Sequence, residues 1–112
     1  MIMNKKIDFN YLADELDFEI QDVKMLFNLF ITNSLEMISK LKQYAKEKKY
    51  EQLYISAHAL KGSASNLLFD EIYNKAKEIE IKAQNNEEVD YTQEIQAIEN
   101  IILELKKNNK TE

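Results

Sequence analysis

The chain has 112 residues, of which 45% are apolar and 31% charged, and this length accommodates one hydrophobic core but not two. The formal net charge of -5 argues against a nucleic-acid ligand, because nucleic-acid phosphates require a basic protein face. The absence of cysteine excludes disulfides and thiolate metal sites and predicts a cytoplasmic protein. Because no apolar run has the length of a signal peptide or a membrane span, we expect no membrane association.

The composition predicts an all-helical fold. The sequence contains no proline and one glycine, whereas sheets depend on turns that are rich in both residues. Good helix formers such as Lys, Glu, Leu, Ala and Gln fill the sequence instead. We therefore expect a few long helices that are joined by short polar loops.

The first part of the chain predicts one short helix and one long helix. After a loose start over residues 1–7, the short helix covers Phe9 to Leu16. Asp17 is a plausible N-cap for the long helix, which runs roughly from Phe18 to Lys46. Its apolar residues recur every three or four positions except across Ser34, which indicates one buried face.

Three further helices are expected after a turn in the charged stretch 46–49. The third runs from about Tyr50 to Asn66, and Asp70 is a candidate cap for the fourth, from about Glu71 to Gln84. Asp90 and Gln93 resemble a capping box, and the last helix then runs to about Lys107. The expected buried positions of these helices are Leu53, Ala57, Leu60, Ala64, Leu67, Ile72, Ala76, Ile79, Ala83, Ile95, Ile98, Ile102 and Leu105.

Four amphipathic helices with short connections predict an antiparallel up-down-up-down four-helix bundle with a short extra N-terminal helix. We expect a single domain over residues 1–112, with residues 1–7 and 108–112 frayed. The apolar stripes are narrow enough to be buried within one bundle, so a monomer is expected.

The only histidine and the only glycine of the chain lie four residues apart on the third helix. His58 comes one position after the core residue Ala57, which places its imidazole at the edge of the buried face. Gly62 costs the helix about 1 kcal/mol relative to alanine. Its lack of a side chain clears space beside the ring for a partner protein. Lys61 adds a positive charge that can reach anionic oxygens on the imidazole. The alternative interpretation is that His58 is an ordinary half-exposed polar residue and that Lys61 is a solvated surface lysine.

Glu80 is the candidate partner of His58. If the third and fourth helices are antiparallel and joined near residues 68–69, His58 and Glu80 lie at similar heights, roughly 16 Å from the bend at about 1.5 Å per residue. Each also follows a core residue of its own helix. A carboxylate that accepts a hydrogen bond from Nδ1 would leave Nε2 as the free nucleophile. The spacing equally allows Glu80 to be an ordinary surface acid.

The stretch around His58 resembles the signature of histidine-containing phosphotransfer (HPt) domains, A-H-x-L-K-G-S-A. The chain reads Ala57-His58-Ala59-Leu60-Lys61-Gly62-Ser63-Ala64. The likeness continues through Asn66-Leu67 to Ile79-Glu80, where the family often has an apolar residue and then Glu or Gln. It implies a helical bundle in which His58 accepts the phosphoryl group, Lys61 and Gly62 assist, and Glu80 orients the imidazole.

The resemblance also implies the partners. These are response-regulator receiver domains, which supply the aspartate and the Mg²⁺, and a hybrid sensor histidine kinase. The chain itself would need no cofactor or metal and would be a stoichiometric carrier without a nucleotide site. Tyr54, Ser65 and exposed residues of the long helix are candidates for the partner-facing surface.

One position departs from the family pattern. Many members have glycine where this chain has Leu68, and that glycine suits a tight exit from the helix. The alignment of His58 with Glu80 depends on the geometry of this turn.

Two other functions compete with the carrier. A non-catalytic helical adaptor would bind a receiver domain or a partner helix without being phosphorylated, but it would have no reason to retain His58, Lys61 and Gly62 together. A phosphatase acting on a partner aspartate would need a side chain that positions water, and Glu80 is the only obvious candidate.

Overall fold

A computed structural model of the chain describes residues 6–110, and every regular element in this range is an α-helix. The fold is therefore all-α, as the composition predicts. Over the same range, none of the helices combines the length and apolar character that crossing a bilayer requires. The five helices are α1 (Phe9–Leu16), α2 (Ile20–Lys46), α3 (Tyr50–Asn66), α4 (Asp70–Gln84) and α5 (Thr92–Asn108).

Four of the helices surround one core. α2 contacts α3 and α5, and α4 also contacts α3 and α5, so the contacts form a closed ring, whereas α1 packs against α2. All the core positions predicted for α3, α4 and α5 are buried. Ser34 interrupts the apolar stripe of α2 but is buried with it, because its hydroxyl donates a hydrogen bond to the Ile31 carbonyl within its own helix.

Phe69 fixes the α3–α4 turn to α2. Its ring makes edge-to-face contacts with Phe27 and Phe30, at centroid distances of 6.3 and 5.1 Å. The turn that aligns α3 with α4 is thus held by the core itself.

Each of the four connections contains a residue other than glycine in the left-handed conformation. These residues are Asp17, Lys48, Leu68 and Asn86, with φ values of 59°, 57°, 62° and 55°. At Leu68, the Phe69 amide donates to the Ala64 carbonyl and the Leu68 amide donates to the Ser65 carbonyl, which is the Schellman pattern. Leu68 therefore adopts the conformation that glycine favours, and the departure from the family pattern leaves the tight helix exit intact.

Three predicted caps are wrong. Asp17 ends α1 in the left-handed conformation, and α2 begins at Ile20 after Glu19 as its N-cap. Asp70 is the first residue of α4 rather than its cap. Asp90 accepts a hydrogen bond from the Thr92 amide, but the N-cap of α5 is Tyr91, which makes no side-chain cap hydrogen bond.

The fraying expected at the chain ends stays a prediction, although residues near both ends of the described range make contacts within the fold. Asn108 is the last residue of α5, and Asn109 is buried. The Asn109 side chain accepts a hydrogen bond from the Ile7 amide at 2.7 Å and donates one to the Leu105 carbonyl at 3.0 Å. These bonds join the two ends of the fold. Residues 1–5 and 111–112, also expected to fray, lie outside the described residues.

Candidate functional site

His58 protrudes from the third turn of α3. The preceding residue, Ala57, is fully buried, whereas the side chain of His58 is 62% exposed. The imidazole therefore lies at the edge of the buried face, where the helical spacing predicts it, and is open to solvent.

Glu80 of α4 contacts the Nδ1 side of the imidazole. Its Oε2 lies 2.6 Å from Nδ1 of His58, although the carboxylate itself is only 8% exposed. The contact predicted from the hairpin spacing is present. It joins an exposed ring on one helix to a buried carboxylate on the next, which limits the positions that the ring can adopt.

Lys61 binds the other oxygen of the same carboxylate. Its Nζ lies 2.8 Å from Oε1 of Glu80, and its side chain is 20% exposed. The ammonium also lies over the ring of Tyr73, 5.9 Å from the centroid. Lys61 is thus an ion-paired residue within the α3–α4 interface and not a solvated surface lysine.

The two partners keep Glu80 ionised. Burial alone would raise the pKa of the Glu80 carboxyl, but the contacts with Lys61 and His58 outweigh this effect and lower the pKa below its usual value. The contact with Glu80 in turn raises the pKa of the Lys61 ammonium. At neutral pH the site therefore contains a carboxylate and an ammonium.

The ionised carboxylate determines the tautomer of a neutral His58. A carboxylate can only accept hydrogen bonds, so the short contact requires the hydrogen on Nδ1. Nε2 then has a free lone pair. The arrangement gives an exposed nitrogen nucleophile whose orientation is set by a buried anion.

Gly62 leaves open space beside His58. A Cβ atom at this position would meet no atom of this chain within 4 Å. Glycine is therefore not required by packing inside the bundle. The space it leaves is available to a molecule that approaches from outside.

The surroundings of His58 include residues that the sequence predicted and residues that it missed. Tyr54, one turn earlier, is half-buried, with its ring 6.4 Å from the imidazole, and Ser65 is exposed. Ile55, three residues before His58, exposes 56% of its surface and was missed. Its signal was an isoleucine outside the apolar stripe of α3.

α3 also borders a groove that it shares with α2. It has a volume of about 470 Å³ and lies between the start and middle of α2 and the second half of α3. Phe18 and Leu29 line it on one side and are about half exposed, while Ser63 and Asn66 line it on the other. Phe18, in the α1–α2 connection, was not predicted as part of a partner surface.

Tyr73 was also missed. It lies seven residues before Glu80, which is about two turns, so both side chains belong to the same face of α4. That spacing was the available signal. What sequence spacing does not show is that the flexible Lys61 side chain reaches across to this face.

The described residues offer no metal site. Over residues 6–110, no group of three or more His, Asp or Glu side chains is arranged to hold a metal ion.

Comparison with known proteins identifies the family. The family model of the Hpt domain matches residues 25–108, which include most of α2 and the whole of α3, α4 and α5. Neither a curated protein nor a solved structure matches the chain. Hpt domains are phosphocarrier modules that interact with response-regulator receivers in two-component signalling. The chain belongs to the Hpt domain family.

Proposed function

We propose that this protein carries a phosphoryl group on Nε2 of His58 and exchanges it with an aspartate of a response-regulator receiver domain. The observation that supports this most strongly is the short contact between the exposed imidazole and the buried, ionised Glu80. It provides a nucleophile whose reactive nitrogen faces solvent and whose other nitrogen is fixed.

The transfer needs no proton removal from the attacking nitrogen. The Nε2 lone pair attacks the phosphorus of a phosphoaspartate, the P–O bond to the aspartate breaks, and the aspartate leaves as a carboxylate. The imidazole gains a positive charge, which the Glu80 carboxylate next to Nδ1 compensates. In the reverse direction an aspartate carboxylate attacks the phosphorus and the P–N bond breaks.

The other site residues have distinct parts in this proposal. Lys61 supplies the positive charge of the site and Gly62 supplies the clearance, since the space beside the ring is open. The partner contributes Mg²⁺, so this chain is a stoichiometric carrier without a cofactor or nucleotide site of its own. Positioning and charge neutralisation account for most of the catalysis in phosphoryl transfer.

The partner is expected to dock over His58 and the neighbouring apolar surface. Ile55 is exposed three residues before His58, and the groove lined by Phe18 and Leu29 lies between α2 and α3. Exposed apolar surface of this kind is typical of a protein interface. We propose a receiver domain as the occupant and a hybrid sensor histidine kinase as the source of phosphate, with the protein acting as a cytoplasmic monomer.

We further propose that α2 to α5 alternate in direction, as in an up-down-up-down bundle. Two contacts support this arrangement. His58 and Glu80 flank the α3–α4 turn at equal sequence distances from Phe69, and Lys82 pairs with Glu94 across the α4–α5 connection. A bundle of this kind offers a rigid support for the site.

The proposal is tested by transfer from a receiver domain labelled with ³²P on its aspartate. Wild-type protein should acquire an acid-labile, base-stable label, because the P–N bond of phosphohistidine has this stability. His58→Gln should acquire none, since the amide has no comparable nucleophile. Glu104→Gln is the matched control and should acquire label like wild type, because it introduces the same side chain at an exposed position of α5, a helix that contributes no residue to the site.

Two outcomes would contradict the proposal. Label on His58→Gln would show that another residue accepts the phosphoryl group. Receiver binding by the wild type without any label would instead establish the non-catalytic adaptor.

A further inference from the structure

Met25 is an exposed methionine of α2. It exposes 56% of its surface, whereas Met37, the other methionine of the described range, is half-buried and packs against the main core. Oxidation of a thioether requires that the oxidant reach the sulfur, so exposure decides which of the two side chains reacts first. Of these two methionines, Met25 is therefore the one that a dissolved peroxide oxidises preferentially.

Met25 also belongs to an exposed apolar row. Leu29 follows it by four residues on α2, so the two side chains share one face of the helix, and Leu29 exposes 52% of its surface. Leu29 in turn lines the groove between α2 and α3, as does Phe18. Met25 thus adds apolar surface one helical turn from the edge of this groove.

Hydrogen peroxide converts a thioether to a sulfoxide in a balanced step. The sulfur lone pair attacks one peroxide oxygen, the O–O bond breaks, and the proton of the transferred oxygen passes through solvent to the departing hydroxide, which leaves as water. Sulfur loses two electrons and the peroxide gains them. The product places a polar S–O group where an apolar side chain was. Burying that group against an apolar partner surface is costly, because it gives up its hydrogen bonds to water.

We propose that Met25 is a site of reversible sulfoxidation by hydrogen peroxide, and that the sulfoxide weakens the docking of a receiver domain on the apolar surface of α2. This inference rests on the proposed function, in which the receiver covers the groove next to Leu29. It adds an oxidant-sensitive control of binding. Because His58 and Glu80 lie on α3 and α4, the modification leaves the chemistry of the imidazole unchanged.

The modification site is tested by brief treatment with hydrogen peroxide and peptide mapping by mass spectrometry. The sulfoxide of Met25 should form at least about fivefold faster than that of Met37, in keeping with the difference in exposure. The urea midpoint of the protein should stay unchanged, because an exposed side chain contributes little to the core. Oxidation of Met37 at the same rate as Met25, or faster, would overturn the assignment of the site.

The effect on docking is measured by calorimetric titration with the receiver domain used in the label-transfer test. Only this protein is oxidised, and the peroxide is removed before the receiver is added. Oxidised wild type should bind about tenfold more weakly, since docking would bury the exposed half of the methionine side chain. Treatment with methionine sulfoxide reductases that act on both epimers should restore the affinity.

Three variants assign the effect to its residue. Met25→Leu retains the other three methionines and an apolar side chain, so it should bind like untreated wild type both before and after peroxide. Met25→Gln places a polar group at this position and should bind weakly without any peroxide. Met37→Leu is the matched control and should respond to peroxide as wild type does.

The outcomes separate this inference from the proposed function. Equal affinities of oxidised and untreated wild type would overturn the docking effect, and an equal loss in oxidised Met25→Leu would assign it to another methionine. The expected loss in a protein that the phosphorylated receiver fails to label would support this inference while rejecting the carrier. A receiver that binds neither form would reject the docking effect together with the proposed function, whereas the peptide map would still decide the modification site.

Discussion

Glu80 is a buried carboxylate that lies between an imidazole and an ammonium. The hairpin spacing predicted its contact with His58, because residue heights along two helices follow from counting. The spacing did not predict the contact between Lys61 and Glu80, because a lysine side chain has several rotatable bonds and can reach either solvent or the next helix. The roles of these residues in phosphotransfer stay predictions.

The state of Glu80 predicts how stability depends on pH. Because its pKa is lower in the folded protein than in the unfolded chain, the ionised carboxylate stabilises the fold. This contribution is fully present above the unfolded value of about 4.5 and is lost as the pH falls through the lower folded value. In urea unfolding, the unfolding free energy of wild type should therefore exceed that of Glu80→Gln by about 1 kcal/mol at neutral pH. The two values should converge in acid.

Glu78→Gln is the control for this measurement, since Glu78 is an exposed carboxylate of the same helix. Its unfolding free energy should follow that of wild type throughout. A difference between Glu80→Gln and wild type that stays constant down to pH 3 would show that the carboxylate charge is not the cause.

Substitutions of Gly62 should have opposite effects on stability and on phosphoryl transfer. Gly62→Ala should raise the unfolding free energy by about 1 kcal/mol, because alanine favours the helix and its Cβ meets no other atom of the chain. Gly62→Leu should also fold, but a large side chain beside His58 should obstruct the partner and reduce the transfer rate at least tenfold. Thermal unfolding and transfer kinetics check the two halves. Equal transfer rates in Gly62→Leu and wild type would remove the clearance argument.

At the scale of the helices, the four connections share one backbone feature. Each contains a residue other than glycine in the left-handed conformation, which is disfavoured for residues with a Cβ. Sequence patterns for helix ends rely on glycine at this position, and this chain has its only glycine inside α3. The sequence therefore offers no glycine signal at any of the four helix ends, and α2, predicted to start near Phe18, starts at Ile20.

Leu68→Gly should cost the protein little stability. Relief of the left-handed strain, about 1–2 kcal/mol, offsets the added flexibility of the unfolded chain, about 0.4–1 kcal/mol, and the lost burial of the leucine side chain, about 1 kcal/mol. Leu103→Gly is the matched control, because Leu103 is 44% exposed against 43% for Leu68 but lies inside α5. It loses similar burial and adds the cost of glycine in a helix, so it should destabilise the protein by about 2 kcal/mol. Chemical denaturation measures both variants, and a loss in Leu68→Gly as large as that in Leu103→Gly would contradict this interpretation of the turn.

At the scale of the whole molecule, the two ends of the described chain are tied together. Sequence composition predicts frayed ends, because short polar segments next to a terminus seldom bury much surface. The exception depends on a contact between Asn109 and Ile7, which are 102 positions apart. Such a pairing follows from the assembled bundle and has no local signal in the sequence.

Asn109→Ala should measure how much the contact between Asn109 and Ile7 stabilises the fold. It removes the side-chain hydrogen bonds to the Ile7 amide and the Leu105 carbonyl and leaves the half-buried Ile7 amide without this acceptor, so a loss of about 1–2 kcal/mol in unfolding free energy is expected. Lys107→Ala, an exposed change in the last turn of α5, should cost about 0.5 kcal/mol or less. Faster amide exchange at Ile7 in Asn109→Ala would locate the effect. A change no larger than that of Lys107→Ala would show that the tie adds nothing.

The bundle as a whole exposes His58 to solvent and holds Nδ1 of its ring against the carboxylate of Glu80. The measurement that tests this most directly is the position of the phosphoryl group on the ring. Protein phosphorylated with a small donor such as phosphoramidate, which requires no partner, is analysed by ³¹P and ¹⁵N NMR. The phosphoryl group should be on Nε2 of His58, because Glu80 occupies Nδ1. Phosphorylation at Nδ1, or at any other residue, would contradict the account.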